Sequence, residues 1–192
     1  MTTRIEQRID EQQAENHKQE RLASKLLPEI NQFKHSRHTL QLATCDQHGL
    51  PNASYAPFAL ADKGFYILVS DMARHGMNLK QSSLVSVMLL EDENEAKTVF
   101  ARKRLTFDAH AKCIGRDNPD FNLGVAALTA RFGDMSAELA ALADFNLYQL
   151  RPQQGLYVKG FGQAFKLSGD ELLEVSWQNA GQHGVAQSLS PA

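Results

Sequence analysis

At 192 residues the chain is long enough for one well-buried domain with appendages, and its 43% hydrophobic content predicts a globular core. Its 20 Lys and Arg residues against 22 Asp and Glu residues give a net charge of −2, which argues against a general nucleic-acid binder. No apolar stretch approaches membrane-spanning length and the hydrophilic N-terminus carries no secretory signal, so we expect a cytoplasmic protein without membrane insertion.

The first predicted element is a helix that follows a charged arm. Residues 1–21 are rich in Gln, Glu and Arg, so we expect a flexible arm that is helical at best. Apolar side chains then recur on one helix face, at Leu22, Leu26, Ile30 and Phe33. Because Pro28 lies inside this pattern, we expect the helix to restart there.

Short strands follow the helix. Alternating apolar residues separated by turn residues predict an antiparallel meander of three strands, at 39–45, 52–58 and 65–70. A short helix is predicted over 71–82. The next predicted strand, 84–90, is apolar on both faces apart from Ser86, which is expected where the barrel interior covers one face and a partner subunit the other.

In the second half of the chain, the hydrophobic pattern alternates between that of strands and that of helices. An acidic loop at 91–95 precedes a strand that ends near Cys113, and two helices are predicted at 121–132 and 135–145. Strands return at 147–150 and 156–167, around a predicted turn at 152–155. Six or seven antiparallel strands with inserted helices predict a mainly β fold, a small closed or split barrel. We expect the barrel domain to span 22–173 and a tail to span 174–192.

The chain lacks the common catalytic signatures. No nucleophile elbow, P-loop, HExxH or paired carboxylates occur, and Gly160 and Gly162 lie in a predicted strand, where they imply a bend or a bulge. Cys45 and Cys113 are isolated at predicted strand ends and are expected to be reduced thiols. If the protein is an enzyme, its reactive chemistry belongs to a cofactor or to the substrate.

Two basic segments are candidates for anion binding. Arg102 and Arg104 flank Lys103 in a run that reads as a strand, so both guanidinium groups are predicted to point to one face. Such a pair suits a phosphate or two carboxylates, although a solvated edge strand protected by cations also fits. Arg74 and His75 open the predicted short helix, where the helix N-terminus favours an anion, or they form an ordinary exposed helix start.

The sequence also resembles a known family. The resemblance spans about 22–173 and rests on the segments 39–58, 73–79, 91–109 and 131–172. These closely resemble the HutZ/HugZ-type haem-degrading proteins, built on the FMN-binding split β-barrel that pyridoxamine-phosphate oxidases also use. The RKRLTF and GLYVKGFGQA motifs are specific to the haem branch, whereas the LATCDQHGLP opening is shared across the superfamily.

The resemblance implies a homodimer that binds haem between its subunits and opens the macrocycle with O₂ and electrons from a donor. It places a haem-iron ligand in the C-terminal tail, where His183 is the only histidine after the last barrel strand. Arg104 matches a distal or propionate-binding residue, with Arg102 and Lys103 beside it. His75 matches a position near the same interface, and Asp144 matches a carboxylate that could orient the ligand.

Three alternative functions therefore remain open, of which the first is the leading hypothesis. The first is oxidative haem degradation for iron acquisition. The second is an FMN-dependent oxidoreductase in which Arg74 and Arg104 hold the FMN phosphate, although FMN-binding relatives have an Arg-Lys pair where this chain has Arg74 and His75. The third is a haem chaperone or storage protein that passes on its ligand without degrading it.

Overall fold

The computed structural model describes residues 2–61, 64–169 and 172–178. Over these residues the chain forms four α-helices: α1 Thr2–Ser36, α2 Arg74–Gln81, α3 Pro119–Phe132 and α4 Met135–Ala141. The strands in the same ranges are β1 Thr39–Cys45, β2 Pro51–Pro57, β3 Ala59–Ala61, β4 Gly64–Ser70, β5 Leu84–Leu90, β6 Arg104–Ile114, β7 Phe145–Gly160, β8 Gln163–Ser168 and β9 Glu174–Trp177. A short 3₁₀ turn, Val99–Ala101, precedes β6.

All strand pairs are antiparallel, in the order β2-β1-β5-β6-β7-β4-β3, with β8 added to β7 and β9 to β8. The mainly β split barrel predicted from the sequence is confirmed. The simple three-strand meander is wrong, because β4 pairs with β7 on the far side of the sheet and not with β2.

The long strand β7 splits the sheet. Its first half pairs with β4 and its second half with β8, while β6 follows it throughout. The turn predicted at 152–155 is wrong: the register shifts there, and Pro152 and Gln154 pair with consecutive residues of β6. A proline is tolerated in a sheet at such a bulge, and the bulge bends the strand. The predicted strand 156–167 instead turns between Gly160 and Gln163, where Gly162 has a φ of 68°.

Helix α1 packs on the barrel through the apolar face that the sequence predicted. Leu26, Ile30 and Phe33 are buried in the main core with the inward residues of the strands. Burial of each such side chain contributes about 1.5–3 kcal/mol. The predicted restart at Pro28 is wrong, because the proline lies inside one continuous helix. Glu29 links this helix to β7, because its carboxylate accepts hydrogen bonds from the Tyr157 hydroxyl (3.0 Å) and Lys159 Nζ (2.6 Å).

A second, smaller core joins α3 and α4 to the other face of β4 and β7. It contains Tyr66, Phe121, Leu128, Ala140 and Leu147. Helix α3 begins after Asn118, whose side chain accepts a hydrogen bond from the Asp120 N–H, and ends at Gly133 with φ 82°. This helix is placed as predicted. The helix predicted over 135–145 ends earlier, at Ala141.

The predicted segment boundaries at 21 and 173 stay predictions. Residues 174–177, placed by the sequence in the tail, form β9 and pair with β8. In the described ranges, no helix combines the length and the apolar character needed to cross a membrane. Cys45 and Cys113 are free and exposed, on β1 and β6.

Candidate functional site

Arg104 is the first residue of β6 and pairs with Leu90 on one side and Val158 on the other. Side chains alternate along a strand, so Arg104 shares the outward face with Thr106 and Asp108, while Leu105 and Phe107 enter the core. The residue is partly buried. No hydrogen bond or ion pair to its guanidinium occurs within 2–61, 64–169 and 172–178, so its charge is available for an anion.

Arg102 lies before the first residue of β6, so the strand predicted to carry both guanidinium groups does not include it. Arg102 lies between the 3₁₀ turn and β6. Its Nε and Nη2 both donate to the Glu91 carbonyl oxygen, the first at 2.7 Å, and its Nη1 donates to Glu93 Oε1 at 3.1 Å. The acidic loop, which the sequence placed next to this strand, thus supplies the partners that neutralise Arg102.

Lys103 is also engaged with the acidic loop. Its backbone N–H donates to Glu91 Oε2 at 2.9 Å, and its carbonyl oxygen accepts from the Glu91 N–H at 2.9 Å. The ammonium group lies 4.0 Å from Glu91 Oε1 and is partly exposed. Of the three consecutive cations, Arg104 is therefore the best placed to meet a ligand.

Arg74 and His75 form the first turn of α2, as predicted, after an Ala73 N-cap without a side-chain hydrogen bond. Arg74 is exposed, and its charge helps to keep the pKa of Asp46 below its usual range, after the larger effect of hydrogen bonds from the Leu50 and His48 N–H groups. Desolvation lowers the pKa of the half-buried His75, which favours the neutral imidazole at neutral pH.

Asp144 lies in the turn between α4 and β7, and not at the end of a helix as predicted. Its Oδ2 accepts a hydrogen bond from the Ser70 hydroxyl at 2.7 Å, and its carbonyl oxygen accepts from the Asp71 N–H at 2.7 Å. Since Ser70 ends β4 just before α2, these bonds hold Asp144 near the helix that carries Arg74 and His75.

Arg116 fixes the same turn and was missed in the sequence. Its guanidinium donates to the carbonyl oxygens of Ala140, Leu142 (2.6 Å) and Phe145 (3.2 Å), and it lies 5.4 Å from the centre of the Phe121 ring. Ser70 was missed as well. No local pattern distinguishes either residue, because their partners lie far away in the chain.

The predicted site residues thus form two groups at opposite ends of β6. Arg104 and its neighbours stand at the start of β6. Asp144 directly precedes Phe145, the first residue of β7, which pairs with Ser70. The start of β7 pairs with the end of β6, where Leu147 lies opposite Ile114. Asp144 therefore lies near the end of β6. Ten residue steps from Arg104 to Ile114 correspond to about 33 Å along the strand. One chain does not bring the two groups together.

The outward face of β5 and β6 is incompletely covered. Leu84 is 63% exposed and Tyr55, on β2, is 67% exposed. The side-chain oxygen Oε1 of Gln41, which pairs with Met88 of β5, is buried without a hydrogen-bond partner in the described part of the chain. A shallow cavity of about 230 Å³ lies on the same face, between Ser86, Asp108 and Leu156.

His183 lies outside the described residues, so its prediction as the iron ligand is untested. No group of three or more His, Cys, Asp or Glu side chains gathers in a metal-binding arrangement within the described ranges. A cavity of about 370 Å³ between the end of α1 and the β3–β4 hairpin contains none of the predicted site residues.

The split sheet with helices inserted after β4 and β6 defines the class of the protein, an FMN-binding-type split barrel. Residues 26–159 match the sequence profile of the pyridoxamine 5′-phosphate oxidase family. The haem oxygenase HutZ of Vibrio cholerae serotype O1 is 52% identical over 157 residues, 82% of this chain and 89% of that protein. The chain therefore belongs to the pyridoxamine 5′-phosphate oxidase family, in its HutZ/HugZ-type branch.

Solved structures agree with this placement. The structure of HutZ, described as the haem storage protein of Vibrio cholerae, has a TM-score of 0.66 at 51% identity, over 70% of this chain and 95% of that one. ChuZ of Campylobacter jejuni has a TM-score of 0.77 at 30% identity, over 85% of this chain and 67% of that one.

Proposed function

We propose that the protein binds haem and degrades it oxidatively in the cytoplasm, for iron acquisition. The observation that carries this proposal is the 52% identity to a haem oxygenase across 82% of the chain. The unpaired, partly buried Arg104 supports it, because a propionate-bearing ligand needs such a cation. The unpaired guanidinium of Arg104 thus fits the propionate groups of haem.

Each predicted residue has a role in this proposal. Arg104 binds a propionate or donates a hydrogen bond on the distal side, while Arg102 and Lys103 hold the acidic loop against the start of β6. His183 ligates the iron. Asp144 accepts a hydrogen bond from the second ring nitrogen of that ligand, which fixes its tautomer and raises its donor strength. Arg74 and His75 line the site from α2, where the neutral imidazole adds no charge.

The proposed site is shared between the subunits of a homodimer. Within one chain, Arg104 and Asp144 belong to opposite ends of β6, so a site that uses both must draw them from different chains. The exposed Leu84 and the unpartnered Gln41 oxygen on the outward face support a partner subunit there. Antiparallel packing of two such faces would bring the start of one β6 close to the end of the other.

Haem, when bound, supplies the iron at which O₂ is activated and is itself the molecule oxidised. This explains why the chain carries no independent catalytic set. The protein orients the ring through its propionates, supplies one axial imidazole and controls access of water. Electrons come from a separate donor.

Storage without turnover is a second candidate, because one solved relative is described as a haem storage protein. The same residues would bind haem in both cases. Only the fate of the ligand under reducing conditions distinguishes the two functions.

An FMN enzyme is less well supported. This function needs Arg74 and Arg104 on one phosphate. Arg74 acts electrostatically on Asp46, which follows the last residue of β1, whereas the β1–β5–β6 register places Arg104 level with the first residues of β1, at its opposite end. Both could reach one phosphate only if they came from different subunits.

The deciding experiment is a haemin titration of the purified protein, followed by a reductant such as ascorbate in air. We expect a Soret band at one haem per subunit, and loss of that band with release of iron after reduction. A stable ferrous spectrum would support storage. A yellow flavin spectrum in the isolated protein, with no haem binding, would overturn the proposal.

The iron ligand is tested by His183→Ala, with His48→Ala as the control because His48 is an exposed turn residue. We expect the first variant to lose or strongly shift the Soret band, with unchanged secondary structure, and the second to retain it. A His183→Ala protein with wild-type spectrum and haem affinity would contradict the assignment and direct attention to His75.

A further inference from the structure

Arg37, the residue that directly follows α1, is a cation with a fixed position. Its side chain is only 12% exposed, and its guanidinium lies 5.7 Å from the centre of the Phe33 ring. Its carbonyl oxygen accepts a hydrogen bond from the guanidinium of Arg131, on α3. Because both the side chain and the backbone of Arg37 are held, a carboxylate that pairs with it pays the ordering cost of one side chain and not of two.

Two carboxylates of the acidic loop pair with this fixed cation. Arg37 Nη1 donates to Asp92 Oδ2 at 3.4 Å, and its Nη2 donates to Glu95 Oε2 at 2.8 Å. Both acidic side chains are exposed, Asp92 by 77% and Glu95 by 55%. Arg37 therefore draws the loop toward α1, although neither carboxylate is held there by burial.

The backbone of this loop begins as a continuation of β5 beside Arg104. Leu90, the last residue of β5, is the pairing partner of Arg104. The next residue, Glu91, still donates its N–H to the carbonyl oxygen of Lys103 at 2.9 Å. The antiparallel register thus extends one residue beyond the strand, and the acidic side chains that follow start within two residues of the Arg104 pair.

The next pair in this register would place Asp92 opposite Arg102. This pair does not form, because Arg102 Nε donates to the Glu91 carbonyl oxygen at 2.7 Å and so ends the ladder. Arg37 meanwhile holds the Asp92 carboxylate. Alternate residues of a strand share a face, so Asp92 in that register would lie on the face of Arg104. Diagonal neighbours across an antiparallel pair are within reach of a long side chain such as arginine.

We propose that Arg37 is a positioning residue for anion binding by Arg104: it holds Asp92 on the α1 side and thereby keeps this carboxylate from pairing with Arg104. The inference rests on the proposed function, in which Arg104 binds a haem propionate. Asp92 and a propionate compete for the same guanidinium because both present a carboxylate. Asp92 is tethered two residues from the pairing partner of Arg104, so its effective concentration is high.

The first test is haemin titration of Arg37→Gln, which removes the charge and keeps a side chain over Phe33. We expect haemin affinity to fall about 3- to 5-fold, the size of effect expected when one exposed ion pair competes for the cation. Arg37→Lys keeps the charge and should retain most of the wild-type affinity. Adding Asp92→Asn to Arg37→Gln removes the competitor and should restore wild-type affinity.

The charge-matched control is Arg37→Gln combined with Glu95→Gln. It has the same net charge as the rescued variant, but Glu95 lies three residues further along the loop, where its N–H donates to the Asp92 carbonyl oxygen at 3.1 Å. This control should stay as weak as Arg37→Gln. Equal rescue by both double variants would show a general charge effect and overturn the inference, as would wild-type affinity in Arg37→Gln.

A second measurement needs no haem. The side-chain Nε–H signal of Arg104 is followed by NMR in the haem-free protein and is identified by its loss in Arg104→Lys. We expect Arg37→Gln to shift this signal and slow its exchange with water, and Asp92→Asn to reverse both changes. An unchanged Arg104 signal in Arg37→Gln would overturn the inference whether or not haem binds. A wild type that binds no haemin but shows the shift would overturn the proposed function and leave the contact between Asp92 and Arg104 established.

Discussion

Arg104, Lys103 and Arg102 are consecutive in the chain, but the fold gives them different surroundings. Arg102 is bound to the Glu91 carbonyl and to Glu93, and Lys103 is tied to Glu91. Arg104 is left with an uncompensated charge at a partly buried position. The sequence predicted an anion-binding cluster here, but it could not show which cation lacks a partner among the described residues, because that depends on how the acidic loop folds back.

This difference predicts unequal effects of two alanine substitutions. Arg104→Ala should weaken haemin binding by about 10- to 100-fold, since a charge-assisted hydrogen bond contributes about 1.5–3 kcal/mol. Arg102→Ala should change haem affinity less and mainly loosen the acidic loop. Spectroscopic haemin titration measures both affinities, and hydrogen exchange at 91–95 measures the loop. Equal affinities for wild type and Arg104→Ala would contradict the assignment.

His75 predicts a pH dependence of stability. Its folded-state pKa lies below 6.5 because of desolvation, so the unfolded chain takes up the proton first as pH falls. The free energy of unfolding should therefore decrease as pH is lowered from above 6.5 toward the folded pKa. His75→Gln removes this contribution.

The measurement is urea unfolding at pH 7.5 and 5.5, in the absence of haem. The wild type should lose more stability between these two pH values than His75→Gln does. The control substitution is His48→Gln, in the exposed turn after β1. An identical pH dependence in wild type and His75→Gln would show that this imidazole is not desolvated.

At the scale of elements, strongly periodic segments were predictable and bends were not. The strand Leu84–Leu90 was predicted with its correct bounds, because it is a continuous run of mainly apolar residues that strongly favours a strand. The turn predicted at Pro152 was wrong, because a bulge opposite Asp108 accommodates the proline within the strand. Pro28 misled the helix prediction in a similar way, since the packing of α1 on the barrel outweighs one lost hydrogen bond.

The turn that carries Asp144 depends on Arg116, a contact between residues far apart in sequence. Its planar guanidinium reaches three carbonyl oxygens, which a lysine ammonium cannot reproduce. Arg116→Lys should therefore lower the free energy of unfolding by about 1 kcal/mol and speed hydrogen exchange at 140–146.

Arg151→Lys is the control for this prediction, because Arg151 makes a single side-chain bond, to Gln149 at 2.9 Å, within the described residues. It should leave exchange at 140–146 unchanged. Wild-type exchange in the Arg116→Lys protein would show that the turn is held by other contacts.

At the scale of the whole molecule, a haem site that used both groups of proposed residues would require a second chain. The fold places Arg104 and Asp144 near opposite ends of the 11-residue strand β6 and leaves the outward face of β5 and β6 incompletely covered. The sequence predicted a subunit interface only from the two apolar faces of 84–90, and in the structure the outward face includes Leu84 at 63% exposure. Association through this face would complete the site and cover the apolar surface together.

The wild type should therefore sediment at twice the chain mass of 21.4 kDa at micromolar concentration. Leu84→Lys should produce a folded monomer, because it adds an exposed charge to the single chain but buries an unpaired cation in the dimer. Leu123→Lys is the matched control, at a 40% exposed leucine on α3. It should remain dimeric and bind haemin like the wild type.

Because Arg104 and Asp144 separate when the subunits do, Leu84→Lys should also lose tight haemin binding, as measured by titration on the same samples. A wild type that is monomeric and still binds haemin tightly would contradict the shared site.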